Sequence, residues 1–193
     1  MTKGYLVSEF GGPEVMVWDT LNLGALAADA VRVRVAASGI NFAETRMRAG
    51  DYSGQELPFV MGMEVAGTIE EVGESVKGLS RGERVLGRAR GAHADVVDCD
   101  PDHLMLLPDN LSFVQGAAIP VGWLTAWHAL YTVGGMKAGD RILVEAVGGS
   151  VGSAALALAK QAGCWVLGTA SRDEKLSQAA SLGLSLIHIS EPT

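Results

Sequence analysis

The 193-residue sequence predicts an α/β plus β chain: a small β-barrel followed by the opening of a doubly wound parallel sheet. Three observations carry this. Residues 1–110 hold short apolar stretches at period two, separated by glycines, as in a small barrel or sandwich. At 109-DNLS-112 the pattern changes to an apolar, Ala-rich run that reads as helix. Further on, a short apolar strand meets the glycine turn 146-AVGGSVG-152, which opens into another helix.

In chain order, Val31, Val33 and Val35 alternate with Arg32 and Arg34, which predicts a strand with one buried face and one wet one. Residues 63–69, 84–87 and 93–97 read as further short strands, with Gly73, Gly78, Gly82 and Gly91 at the turns. The run opening at Ser112 is expected to be helical through about Val133, with Trp123 and Trp127 at i, i+4 in the core. Residues 141-RILV-144 read as a strand buried on both faces. A helix over 153–162 stops at Gly163, and 164–169 form the next strand. Ser171, with Glu174 three residues on, fits a capping box for one more helix. Residues 184–193, LSLIHISEPT, fit neither part; they read as a foreign tail and are left out of the fold prediction. The expected domains are thus 1–124, 125–183 and the tail 184–193.

Hydrophobic residues at 48% and charged ones at 19% suit a packed core rather than disorder. Fifteen Lys and Arg against 22 Asp and Glu give −7, with no long basic run, which argues against nucleic acid or an anionic membrane surface as main partner. Two cysteines make no disulfide framework, and the start MTKGYLVSEF lacks the apolar run of a signal peptide, so a cytoplasmic location is expected. Residues 110–136 contain no Asp, Glu, Lys or Arg and are long enough to cross a bilayer. They also hold Gln115, Gly116, Pro120, Gly122 and His128, which suit a buried segment and not a membrane span.

The turn 146–152 has the form A-x-x-G-x-x-G between a strand and a helix, the spacing of a dinucleotide fingerprint with Ala in the first position. Bare backbone there lets N–H groups approach a pyrophosphate, and the helix dipole adds to the attraction. The plainer reading is a glycine-rich turn with no ligand. About 20 residues past the turn, NAD sites place an acid for the ribose 2′-hydroxyl. Here Ser171, Arg172 and Lys175 stand instead, a hydroxyl and two cations that suit a 2′-phosphate and favour NADPH. The competing reading has Arg172 and Lys175 flanking Asp173 and Glu174 on a solvated helix.

The segments 37-ASGINFAE-44, 58-PFVMGMEVAGTIEEVG-73, 124-LTAWHAL-130, 146-AVGGSVGSAALALAKQAG-163 and 168-GTASRDEKL-176 together resemble the medium-chain dehydrogenase/reductase superfamily. The branch they resemble is the zinc-independent NADPH:quinone oxidoreductase (zeta-crystallin-like) family, and the match covers about residues 4–183. The resemblance implies a GroES-like β-barrel and an incomplete Rossmann domain, with the active site in the cleft of the two. It also implies hydride transfer from NADPH to a quinone or other conjugated enone, with 2-enoyl thioester reduction as the alternative. Zinc-dependent relatives place ligands where Asn41, Met63 and Val121 stand, and none of these is a competent zinc ligand. Only Cys99 lies where a structural zinc needs four cysteines, and His93, His103, His128 and His188 show no ligand spacing, so no metal is expected.

By resemblance, Asn41 and Tyr52 are the catalytic candidates and also reach the cofactor, with Thr125 on the nicotinamide side. Gly149, Ser150, Val151 and Gly152 would cradle the pyrophosphate, and Ser171 and Lys175, with Arg172 beside them, would hold the 2′-phosphate. The family has Gly where Ser150 stands. Plainer readings make Asn41 a turn residue, Tyr52 part of a loop and Glu64 the partner of some buried group that the sequence does not name. The resemblance implies a homodimer for the full-length form. The chain itself is read as truncated, with an inactive fragment or a non-catalytic NADPH-binding protein as the reading from another class. Two parallel strands with open edges should be poorly soluble or inactive; a cooperative melt together with NADPH turnover by this chain would refute that.

Overall fold

The computed structural model describes residues 1–189 and divides into two units, Met1–Pro120 and Val121–Thr193. The first contains β1 (Thr2–Val7), β2 (Met16–Leu21), β3 (Val31–Ala37), α1 (Phe42–Ala49), β4 (Phe59–Val60), β5 (Glu64–Val72), β6 (Arg84–Arg88), β7 (Val96–Cys99), β8 (Leu104–Leu106) and α2 (Phe113–Ala117). They form two antiparallel sheets, ordered β2-β1-β4 and β7-β3-β5-β6-β8. Alternation along β3 sends Val31 and Val33 inward, where they meet Val65, Ile69, Val85, Val97 and Cys99 in one core. The opposite face carries cross-strand ion pairs. Arg32 grips Asp98 of β7 with two hydrogen bonds, 2.7 and 2.8 Å, and also reaches Glu71 of β5, while Arg34 pairs with Glu70. The bond to Asp98 raises the Arg32 pKa, and opposite charges placed across strands each contribute some tenths of a kcal/mol, up to about 1.

Strands β1, β2, β4 and β8 were not expected from the sequence. The strand expected over 93–97 begins only at Val96. Before it, the backbone of His93 and Asp95 is spent elsewhere: Tyr5 N–H donates to the His93 carbonyl at 2.9 Å and Asp95 N–H to that of Lys3 at 2.8 Å.

The second unit contains α3 (Pro120–Trp127), which starts at the boundary, a π-helical turn over His128–Val133, β9 (Arg141–Val144), α4 (Ser150–Gln161), β10 (Trp165–Ala170), α5 (Asp173–Ser181) and β11 (Leu186–Ile189). The continuous helix expected up to Val133 is broken after Ala117, because Pro120 lacks an N–H and disfavours helical backbone in the residue before it. The sheet is parallel, ordered β11-β10-β9. Two strands were expected and three are present, since Leu186–Ile189 of the segment 184–193 pairs with β10 from Leu167↔Leu186 to Ala170↔Ile189. The free edge of β10 offers unpaired N–H and C=O groups, and Leu-Ile-His-Ile is a sequence prone to strand. The last part of that segment, 190–193, lies outside the described residues.

Helices α4 and α5 cover one face of this sheet, burying Val144, Leu156, Leu158, Val166, Ala170 and Leu176. The expectation that β9 is buried on both faces fails: Leu143 is 58% exposed, because among the described residues nothing covers the second face. Trp123 and Trp127, expected in the core, are 40% and 52% exposed; Trp127 packs on Tyr131 with ring centres 4.2 Å apart. The expected Ser171–Glu174 capping box is absent. Arg172 is the N-cap, so Glu174 falls one position short of reaching back. No helix among the described residues is long and apolar enough to cross a membrane.

Burial and the nearby Asp98 and Asp100 push the Cys99 thiol up to about 12. At pH 8 it holds roughly a thousandfold less thiolate than a free cysteine. A thiol reagent should therefore leave Cys99 unmodified in the folded chain and label it only after denaturation, which mass spectrometry would show.

Candidate functional site

In the second unit, β9 ends at Val144 and α4 starts at Ser150, so the chain reverses within the turn that contains Ala146 to Gly149. Ala146 takes φ +51°, a left-handed conformation that costs a residue with a Cβ about 1–2 kcal/mol. Gly149 N–H closes the turn on the Ala146 carbonyl at 2.8 Å. Gly152 is required by close approach: a Cβ there would overlap the Ala146 carbonyl and lie 2.8 Å from the Val147 backbone. Gly149 is the N-cap of α4 and supplies no side-chain cap, so the first N–H groups, at Ser150, Val151 and Gly152, have no acceptor within the helix. The Ser150 side chain lies against Gly122 of α3, where a Cβ would overlap its Oγ. The Ser150 hydroxyl is thus turned to a neighbouring helix.

Gly148 brings in a third element. A Cβ there would lie 2.6 Å from Lys175 Cβ and 2.9 Å from its Cγ, so the stem of Lys175 on α5 crosses the glycine turn. Ser171 and Arg172 stand exposed between β10 and α5. Thr125 is exposed on α3. The structure therefore brings Lys175 to the turn, and it leaves Thr125, Ser171 and Arg172 on exposed positions of the same unit. A bare turn at an uncapped helix start, with a cation across it, fits a dinucleotide phosphate.

In the first unit, Asn41 is the N-cap of α1 and forms a capping box with Glu44, whose Oε2 accepts the Asn41 N–H at 2.5 Å. Asn41 Nδ2 donates to Glu64 Oε1 at 2.7 Å. Glu44 and Glu64 are 2% and 4% exposed, and they are the buried carboxylates of this chain among the described residues. His93 stands beside them, with Nε2 3.3 Å from Glu44 Oε1 and Nδ1 2.8 Å from Ser38 Oγ. Ser38 Oγ also donates to the Glu64 main-chain oxygen at 2.9 Å. Tyr52 lies in the loop after α1 and is 47% exposed. Sequence reasoning did not pick out Ser38, Glu44 or His93 for this cluster. An Asn followed by Glu three residues later was a readable signal for Glu44; nothing local marks His93, which is 55 residues from Ser38.

Comparison with known proteins places this architecture. The model of the alcohol dehydrogenase GroES-like domain matches residues 27–128. The chain belongs to that family. This GroES-like chain is 38% identical to a quinone oxidoreductase of Homo sapiens over 178 residues, 90% of the chain and 54% of the relative. It is 40% identical over 164 residues to a spectinabilin polyketide synthase system protein of Streptomyces orinoci, 85% of the chain and 7% of that protein. A solved quinone oxidoreductase of Escherichia coli complexed with NADPH matches with a TM-score of 0.89 at 32% identity, covering 97% of this chain and 58% of the other. The chain thus spans about half the length of the human relative, and the medium-chain dehydrogenase/reductase resemblance and the α/β plus β fold class are borne out.

The strain at Ala146 can be tested. Replacing it with Gly should raise stability by about 0.5–1 kcal/mol, since glycine removes the left-handed penalty but adds unfolded-state entropy. A denaturation midpoint that falls instead would show that the turn does not hold this φ.

Proposed function

We propose that this chain carries the NADPH-binding turn and the substrate-side polar cluster of an oxidoreductase that reduces a quinone or another conjugated enone without zinc. The observation that carries the reading is the bare turn 148–152 at the uncapped start of α4, with the Lys175 stem packed across Gly148. When bound, NADPH supplies the hydride, and an acceptor activated by conjugation needs no Lewis acid to take it. The backbone of Gly149, Ser150, Val151 and Gly152 holds the pyrophosphate in this reading, while Ser171, Arg172 and Lys175 hold the 2′-phosphate. Asn41, Tyr52 and Thr125 orient the nicotinamide and the acceptor, and orientation alone removes a large part of such a barrier. The partner is a small molecule, and the full-length form is a homodimer.

A second reading, reduction of a 2-enoyl thioester, is favoured by the polyketide synthase relative, which is as similar to this chain as the quinone oxidoreductase is. Tyr52 is the candidate proton donor in that case. A non-catalytic NADPH-binding role or an inactive fragment is the remaining alternative.

Equilibrium binding to the chain tests the cofactor first. NADPH should bind at least tenfold more tightly than NADH, and Lys175→Ala should weaken NADPH about tenfold while leaving NADH unchanged, the loss expected for one charge-assisted hydrogen bond. No saturable NADPH binding would favour the inert fragment. NADPH oxidation with a small quinone set against crotonyl-CoA separates the two enzymes, and turnover with the thioester alone would replace the quinone reading.

A further inference from the structure

Asn41 is held from two sides by carboxylates that water does not reach. Glu44, on α1, takes the Asn41 main-chain N–H at 2.5 Å, and Glu64, on β5, takes the side-chain Nδ2–H at 2.7 Å. Space for the second carboxylate is made by Gly39, where a Cβ would overlap Glu64 Oε1 and lie 2.9 Å from the Ala117 carbonyl. Chemistry decides which end of the amide faces Glu64. An amide oxygen at 2.7 Å from a carboxylate oxygen would set two acceptors against each other, so only the NH2 end can stand there. The capping box on the other side turns the rest of the group toward α1.

This arrangement is costly if its purpose is stability alone. Buried carboxylates lose solvation that an apolar residue of similar volume would not lose, and replacing buried ionic groups by such residues is often neutral or stabilising. Glu44 Oε1 even lacks a hydrogen bond, its neighbour being His93 Nε2 at ion-pair distance. What the Glu64 carboxylate does supply is a single orientation for the Asn41 side-chain amide.

We propose that Glu64 is a positioning residue of the site: it fixes the flip and rotamer of Asn41, and Gly39 is there to admit its carboxylate. A fixed amide presents one remaining Nδ2–H and the free side of its oxygen in known places, so it reads the donors and acceptors of a bound nucleotide stereospecifically. A mobile amide would present either end and would give back part of its binding in lost entropy. The role toward the ligand rests on the NADPH reading above; the fixing of the amide does not.

Two measurements on the full chain separate these. The first uses no ligand. In 15N-labelled protein the two Asn41 Hδ2 resonances should be widely split and one of them slow to exchange. Glu64→Leu and Gly39→Ala should collapse the splitting, while Glu64→Gln, which keeps an acceptor oxygen, should largely preserve it. A splitting unchanged in Glu64→Leu overturns the proposal, as does an Asn41 amide already solvent-like in the parent chain. The second measures NADPH affinity. Glu64→Leu should weaken it about tenfold and Glu64→Gln by less than about threefold. Asn41→Asp sets two carboxylates together and should weaken it strongly, and the double variant Asn41→Asp/Glu64→Gln should recover most of the loss, because the Gln amide can donate to Asp. Equal affinity in Glu64→Leu and the parent overturns the positioning role, and so does a double variant no better than Asn41→Asp alone. If the parent chain binds no NADPH, the cofactor reading fails and the resonance measurement alone decides whether Glu64 fixes Asn41.

Discussion

A carboxylate removed from water must find donors close by, and the end of the first unit that holds Glu44 and Glu64 is organised by that requirement. Glu44 and Glu64 come from a helix and a strand 20 residues apart in numbering, yet one residue, Asn41, donates to both. Binding both through Asn41 ties the start of α1 to the start of β5. It also explains the small residue at Gly39 and draws His93 and Ser38 into contact from the segment that follows β6 and from the end of β3. The Val and Ile core of the barrel sets where the strands run; the buried acids set how the loops at this end meet.

The second unit is governed by a steric limit of a different kind. A parallel strand can lead into a helix and return beside itself only if the turn is tight and the helix lies close on the sheet. Gly152 allows that approach to the Ala146 carbonyl, and the strained φ of Ala146 shows how little room the turn leaves. The same tightness leaves the first N–H groups of α4 without side-chain competitors. Close packing and the bare helix start thus come from one cause. Coverage of one sheet face by α4 and α5 leaves Leu143 and Trp165 exposed on the other, and the run of buried strand residues normal for parallel sheets is halved to an alternation.

Much of this was readable from local pattern. The strand at Val31–Ala37, the strand at Arg141–Val144 and the helix that ends before Gly163 follow from periodicity and from Gly. The glycine turn and Lys175 were picked out by spacing alone. Asn41 was picked out as well, but by resemblance, and with a plain turn residue as its competitor. In the structure it is a helix cap and also the partner of Glu64. What escaped has common physical reasons. Pro120 cuts one apparent helix in two. Ser171 looked like a cap and is displaced by Arg172, because the helix start is set by where β10 delivers the chain. Residues 184–193 read as a foreign tail, yet Leu186–Ile189 pairs with β10, whose open edge accepts a β-prone segment.

The sequence by itself determined the class of fold, the position of the glycine turn, and the charge pattern proposed to favour NADPH, since each depends on residues close along the chain. Tertiary structure alone decided the identity of the group that Glu64 meets, the crossing of Lys175 over Gly148, and the exposure of Trp123, Trp127 and Leu143. Those outcomes depend on which surfaces come together across tens of residues. No local pattern encodes that, because burial and hydrogen-bond partners are properties of the packed molecule.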